Sequence, residues 1–193
     1  MPALSPEARA RLLRLARAAI EARLAGRPAP PPPDLAELTE PRGAFVSLHR
    51  RADGALRGCV GYAEALYPLA EAVTRAAVLA ATADARFSQL TLEELPEVVL
   101  DISVLTPPRP IAAPEVTVGV HGLLVEHGGR RGLLLPQVAV EQAWSREQFL
   151  DATCRKAGLD AGCWRLPDVG LRSFEAEVFG ECSGTPLEPG PDS

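Results

Sequence analysis

The chain has 193 residues, 47% hydrophobic and 23% charged, with a formal net charge of −5. That balance is ordinary for a soluble globular protein with a substantial core. It excludes nucleic-acid binding driven by bulk charge while leaving room for a local basic patch. No run is long enough to span a membrane and no charged-then-apolar leader opens the chain, so the expected location is the cytoplasm. Lys156 is the only lysine among twenty basic residues and asparagine is absent, a bias that suits a GC-rich, thermophilic source. The four cysteines, Cys59, Cys154, Cys163 and Cys182, include no CxxC pair. Reduced thiols are the cytosolic expectation, with a Cys154–Cys163 bridge as the alternative.

The first predicted helix starts at Ser5, an N-cap followed by Pro6 and Glu7. Ala8, Leu12, Ala16, Ile20 and Leu24 recur on one face, Arg9, Arg11, Arg14 and Arg17 fall largely on a solvated side, and Gly26 closes the helix. Pro28 to Pro33 is nearly all proline and forms a stiff, extended spacer. A β-hairpin from Gly43 to Gly61 follows, turned at Ala52-Asp53-Gly54, with two competing registers. A two-residue turn sets Leu48 against Cys59 and mixes charge with apolar residues on one face. A three-residue loop with Gly54 left-handed sets Ser47 against Cys59 and His49 against Arg57, and gathers Val46, Leu48, Leu56 and Val60 on the opposite face. The second is preferred, because it leaves one clean apolar side. It implies a polar cluster of Ser47, His49, Arg57 and Cys59; the plain alternative is a solvated strand face.

Pro68 to about Ala83 reads as a helix whose alanine-rich stripe packs on the sheet. Thr91-Leu92-Glu93-Glu94 is a capping box predicting a short helix. Val99 to Leu105 alternates as a strand. Gly122–Glu126 and Arg131–Leu135 flank His127-Gly128-Gly129-Arg130, a second hairpin, and Leu135-Pro136-Gln137-Val138 leaves the sheet. Ser145-Arg146-Glu147-Gln148 caps a helix stopped by Gly158, Ser173 to Glu181 alternates as a last strand, and 186–193 is a frayed tail. Hairpins dominate and strict β-α alternation is missing. The fold class is therefore α+β, with hairpin-rich, mostly antiparallel sheets packed by helices.

The organising stretch is Leu56-Arg57-Gly58-Cys59-Val60-Gly61, a thiol between two glycines that leave the backbone open to close approach. It resembles the hexapeptide signature of the AMMECR family, named for the human chromosomal region linked to Alport syndrome, midface hypoplasia and elliptocytosis. The match continues in order through Phe45-Val46-Ser47-Leu48, Asp84-Ala85-Arg86-Phe87, Ile102-Ser103-Val104-Leu105, His121-Gly122-Leu123, Gly132 to Val138, Trp144, Lys156-Ala157-Gly158-Leu159 and Phe174 to Glu181. It covers about Leu35 to Glu181; Val60 departs mildly from the usual isoleucine. The resemblance implies one domain over 1–185 made of two closely associated subdomains, with the hexapeptide near their junction. It also implies a family without an established activity, whose bacterial and archaeal members are often encoded or fused with Memo-like and radical S-adenosylmethionine proteins, the expected partners.

Two chemistries compete at this stretch. In an enzyme, Cys59 is the nucleophile, His49 or His121 the base, Arg57 the holder of a carboxylate or phosphate, and the Gly58–Gly61 amides the oxyanion donors. In a binding module, Arg57 and Arg86 clamp an anionic ligand such as a nucleotide or RNA end, or the glycine-edged strand receives a partner protein. A structural variant pairs Arg57 with Asp84 and leaves Cys59 a small core residue. Binding ranks ahead of catalysis, because no complete acid–base constellation is visible. The histidines and cysteines show no ligand pair at metal spacing, and the residues name no cofactor.

Overall fold

The computed structural model describes residues 3–181; the predicted tail at 186–193 and Cys182 lie outside that range. Its elements in chain order are α1 (Pro6–Leu24), β1 (Ala44–Arg50), β2 (Leu56–Tyr62), α2 (Leu69–Thr82), β3 (Val98–Leu105), β4 (Arg109–Pro110), β5 (Gly122–His127), β6 (Arg130–Leu134), α3 (Pro136–Glu141), α4 (Arg146–Lys156), β7 (Gly170–Phe174) and β8 (Ala176–Gly180). The architecture is α+β, with two antiparallel four-stranded sheets ordered β2-β1-β3-β8 and β4-β7-β5-β6 among the described residues. The chain divides into two compact units that change over at 105/106 and 176/177.

The first unit holds α1, α2 and the β2-β1-β3-β8 sheet. Ser5 caps α1 by accepting from the Ala8 amide at 3.2 Å, and Gly26 ends it at φ +66°, where a Cβ would be strained. Ala8, Leu12, Ala16, Ala19 and Ile20 form its buried face. Two of its arginines do more than face water. Arg17 donates to the carbonyls of Leu95 and Val98 and pairs with Glu181, while Arg9 pairs with Glu177. Helix α2 buries Ala72, Val73, Ala76, Ala77 and Ala80, and Ala44, Val46 and Leu48 on β1 are fully buried in the same cluster. Small side chains let helix and sheet approach closely. At Gly58 the approach is so close that a Cβ would overlap the Ala80 carbonyl oxygen.

The first hairpin sets Ser47 against Cys59 and Val46 against Val60, as the preferred register requires, with Gly54 left-handed at φ +70°. One detail differs. The register slips between Leu48 and His49, so His49 faces Leu56. Arg50 and Ala55 close the turn instead, through an Arg50 N–H to Ala55 carbonyl bond of 2.8 Å. The extra residue in β2 is Arg57, which therefore sits in a β-bulge and is re-aimed away from the row it was expected to join.

The second unit holds the β4-β7-β5-β6 sheet, α3 and α4. Gly128 and Gly129, both at positive φ, make a two-residue turn between β5 and β6. Ser145 and Gln148 cap α4 reciprocally, and Phe149 and Leu150 are buried from it. Cys154 on α4 is bonded to Cys163. The reduced state expected for that pair gives way to the bridge, and both sulfurs sit in a buried apolar cluster with Val125.

Two element predictions are corrected. The Thr91–Glu94 box forms, with Glu94 N–H donating to Thr91 Oγ1 at 3.3 Å and Thr91 N–H to Glu94 Oε2 at 3.0 Å, but it caps turns that run into a 3-10 turn at Leu95–Glu97, not an α-helix. Pro96 lacks an N–H and truncates the helix. The last alternating stretch is two strands, β7 and β8, in different sheets, separated at Glu175. There the Glu175 N–H donates to Thr106 Oγ1 at 2.9 Å and the Thr106 N–H to the Glu175 carbonyl at 2.9 Å. Apolar residues at 174, 176 and 178 continue the alternation through the break and so hide it, although the buried residues on either side, Phe174 and Phe179, are out of phase.

Replacing Gly58 with alanine should cost about 3 kcal/mol, because the added methyl meets backbone that cannot rotate away. Urea unfolding of G58A measures this; a loss below about 0.5 kcal/mol, the level of an ordinary surface change, would contradict the packing role.

Candidate functional site

Strand β2 is an edge of its sheet, so alternate residues along it point their N–H and C=O away from β1. Cys59 is one of these. Its N–H donates to Asp84 Oδ2 at 2.8 Å, and its carbonyl accepts from Arg86 Nη2 at 3.4 Å. The acid and the base, two residues apart just after α2, stand in for a missing neighbouring strand. Arg86 also grips the same carboxylate at both oxygens, Nε to Oδ1 at 2.9 Å and Nη2 to Oδ2 at 2.7 Å, and its own amide donates to Oδ1 at 3.2 Å. Asp84 is only 7% exposed and Arg86 58%. Arg86, followed by the Cys59 and Arg86 amides, holds the Asp84 carboxyl well below the usual carboxylate range.

Because the Cys59 backbone points outward, Ser47 and Cys59 form a non-hydrogen-bonded pair, the arrangement that brings opposed side chains closest. The Ser47 hydroxyl donates to the Cys59 sulfur at 3.2 Å. The thiol is partly exposed and is the free cysteine among the described residues. Val46, with its buried side chain, lies on the other face, so the sulfur is not sealed beneath α2. The Arg86 guanidinium sits above its ordinary value, chiefly through its hydrogen bond to Asp84, with the charge of the same carboxylate adding to the rise against the cost of burial.

The same sheet face continues across β1. Asp101 on β3 pairs in register with Ser47, and its carboxylate meets His49 Nε2 at 3.4 Å. Burial pushes the Asp101 carboxyl up, with His49 opposing and Glu181 adding to the rise. His49 Nδ1 lies 3.2 Å from the Gly54 carbonyl. Both ring nitrogens thus have partners, and neither of them is Cys59.

The remaining expected residues divide. Arg57 does not stand free beside the thiol: its side chain is 11% exposed, donates to the Ser88 carbonyl at 2.8 Å and pairs with Glu94 at 3.3 Å. The alternative pairing of Arg57 with Asp84 is replaced by Arg57–Glu94 and Arg86–Asp84. Gly58 and Gly61 are not open to a ligand at their α-carbons. Gly58 admits α2, and a Cβ on Gly61 would strike the Phe45 ring and the Ala44 carbonyl. The Cys59 amide, expected among the oxyanion donors, is already bonded to Asp84. His121 belongs to the second unit, where its Nδ1 accepts from the Thr117 amide at 3.1 Å. A neutral ring in that state carries its proton on Nε2 and has no free basic nitrogen.

Asp101 and Ser88 were not singled out from the sequence, and Glu94 was read there only as a helix cap. Asp101 joins Ser47 only through pairing of strands more than fifty positions apart, which no local pattern shows. No group of three or more His, Cys, Asp or Glu residues is placed to hold a metal among the described residues, and no helix there is long and apolar enough to cross a membrane.

Fold and site define an α+β protein carrying a partly exposed thiol whose backbone is bracketed by a buried carboxylate and its arginine. The AMMECR1 family model matches residues 13–179, and the chain belongs to that family. Protein PF1979 of Pyrococcus furiosus is 48% identical over 181 residues, covering 88% of this chain and 86% of that protein. A protein of Thermofilum pendens is 45% identical over 201 residues, covering 94% and 93%. The crystal structure of the uncharacterized protein PH0010 from Pyrococcus horikoshii superposes with a TM-score of 0.87 at 43% identity, covering 92% of this chain and 93% of that one. These archaeal relatives carry generic names.

Asp84 makes a signed prediction about acid. A carboxylate whose folded pKa is depressed contributes stability that is present above its unfolded value, about 3.9, and is lost as pH falls below it toward the folded value. Asp84→Asn should lower stability at neutral pH by about 1–2 kcal/mol, the worth of charge-assisted hydrogen bonds to a covered carboxylate whose arginine partner stays in water, and should flatten the acid limb. Denaturant unfolding between neutral pH and pH 3 checks both; an unchanged acid limb in D84N would contradict the assignment.

Proposed function

We propose that the chain is a binding module whose recognition surface is the Cys59 side of the first sheet, taking a ligand with an anionic oxygen, a carboxylate or phosphate such as a nucleotide or RNA end. The observation that carries this is Arg86. It is exposed, yet fixed by Asp84 and the Cys59 carbonyl, and its Nη1 has no hydrogen-bond partner among the described residues. A guanidinium held in advance loses little freedom on meeting an anion. Ser47 and Cys59 add a hydroxyl and a thiol beside it. Arg57, paired and largely covered, supports this surface by fixing the bulge and does not itself act as a clamp.

Strand addition by a partner protein is less favoured, since the outward groups of Cys59 are already bonded to Asp84 and Arg86. The second reading is a cysteine-dependent transferase or hydrolase at Cys59, favoured by the Ser47 hydroxyl on the sulfur and the nearby guanidinium. It lacks a base on the thiol: His49 is bonded to Asp101 and His121 to Thr117. The Memo-like and radical S-adenosylmethionine proteins implied by the family resemblance are the partners to test first on this face.

In a Cys182→Ser background, Cys59 should alkylate with iodoacetamide no faster than glutathione at neutral pH. AMP should shift the amide NMR signals of Cys59 and Arg86, and Arg86→Ala should weaken that binding about tenfold, the worth of one charge-assisted contact. A hyper-reactive Cys59 would favour the enzyme, and AMP shifts that survive R86A unchanged would remove the clamp.

A further inference from the structure

On the opposite face of the first sheet lies a groove that the Cys59 surface does not use. Side chains alternate along β2, so Tyr62, three positions after Cys59, projects from the helix-covered side. It lines a cavity of about 480 Å³ together with Ala19 and Arg23 of α1, Arg27 of the turn that ends it, Ala29 of the spacer, and Thr74, Arg75, Val78 and Leu79 of α2. That volume is in the range of small-molecule sites.

The chemistry of the lining is lopsided. Its floor is aliphatic and aromatic, while three arginines and no acid complete it, in a chain whose net charge is −5. Glu21 and Glu71 stand outside the lining and pair with Arg27 and Arg75 at 2.7 Å and 2.8 Å. Arg23 has no ion pair or side-chain hydrogen bond recorded among the described residues, although it is a cation in the last turn of α1. Arg75 lies over the Tyr67 ring at 4.5 Å, and Tyr67 meets Tyr62 edge-on at 5.2 Å. This stack holds one wall in place.

The opposite wall is equally fixed. The chain reverses at Gly26 in the left-handed region, and the Arg27 N–H donates to the Ala22 carbonyl at 2.7 Å, a helix-ending motif. From there the chain enters the proline spacer, whose Ala29 reaches the groove.

We infer that this groove is a second binding site, for a small organophosphate: an apolar or aromatic body on Tyr62, Val78 and Leu79, with a doubly charged phosphate monoester meeting Arg23, Arg27 and Arg75. Arg23 carries an unmatched charge, while Arg27 and Arg75, each bonded to its glutamate through one nitrogen, keep further N–H groups for the remaining oxygens of a phosphate.

The test is methyl and amide NMR titration of the full chain with 1-naphthyl phosphate. The expected result is saturable shifts at Val78, Leu79 and Tyr62, with affinity about tenfold weaker for 1-naphthol and about tenfold weaker for inorganic phosphate, since each lacks one half of the recognition. Arg23→Ala, which removes a side chain with no recorded structural partner, should weaken 1-naphthyl phosphate by about fivefold or more at unchanged melting temperature. Arg86→Ala should leave it unaltered, separating this site from the Cys59 surface. Absence of shifts at Val78 and Leu79, equal affinity for naphthol, or full affinity in R23A would overturn the inference.

Discussion

Asp84 is the group around which the Cys59 region is built. A carboxylate this deeply covered is unfavourable unless its charge and lone pairs are met. Here Arg86 meets the charge at both oxygens, and the amides of Cys59 and Arg86 complete the shell. The result settles two problems at once. The dangling backbone of an edge strand finds partners, and an arginine is held rigidly next to a thiol without being buried.

The two glycines of the hexapeptide divide between the faces of the sheet. Gly58 gives way to α2, so that the helix covers the apolar side at close range; Gly61 gives way to the Phe45 ring on the thiol side. Neither leaves an open approach for a ligand, and neither could be replaced without displacing backbone. They fix how closely the helix and the Phe45 ring pack on the two faces of β2. Arg57, between Leu56 and Gly58, adds the bulge that turns the strand end toward Ser88 and Glu94. One sheet thus presents two surfaces with different chemistry, a thiol beside one held arginine and an apolar groove rimmed by three.

Much of this was legible in the residues. Helix starts at Ser5 and Ser145 follow from local capping chemistry, and the pairing of Ser47 with Cys59 follows from demanding a clean apolar face. The bulge at Arg57 was not, because alternation identifies a face only while the count of residues per strand is equal. The partner of Arg57 is Glu94 and not Asp84 for a related reason. Asp84 and Glu94 lie on connections whose path depends on where α2 ends, and charge type alone does not choose between them. His121 shares a motif with the family resemblance yet is bonded within its own unit, which the order of motifs along a chain cannot reveal. The Cys154–Cys163 bridge turned on the geometry of one helix end meeting one turn, for which a spacing of nine residues is permissive and no more.

Amide hydrogen exchange at Cys59 tests the central claim most directly, because an edge-strand N–H has no ladder partner to protect it. With the Asp84 carboxylate in place, that amide should exchange about a hundredfold or more slowly than an unstructured one, and Asp84→Ala should expose it while its neighbours in the β1 ladder, Gly58 and Val60, keep their protection. A Cys59 amide that exchanges freely in the unmodified protein, or one equally protected in D84A, would contradict it.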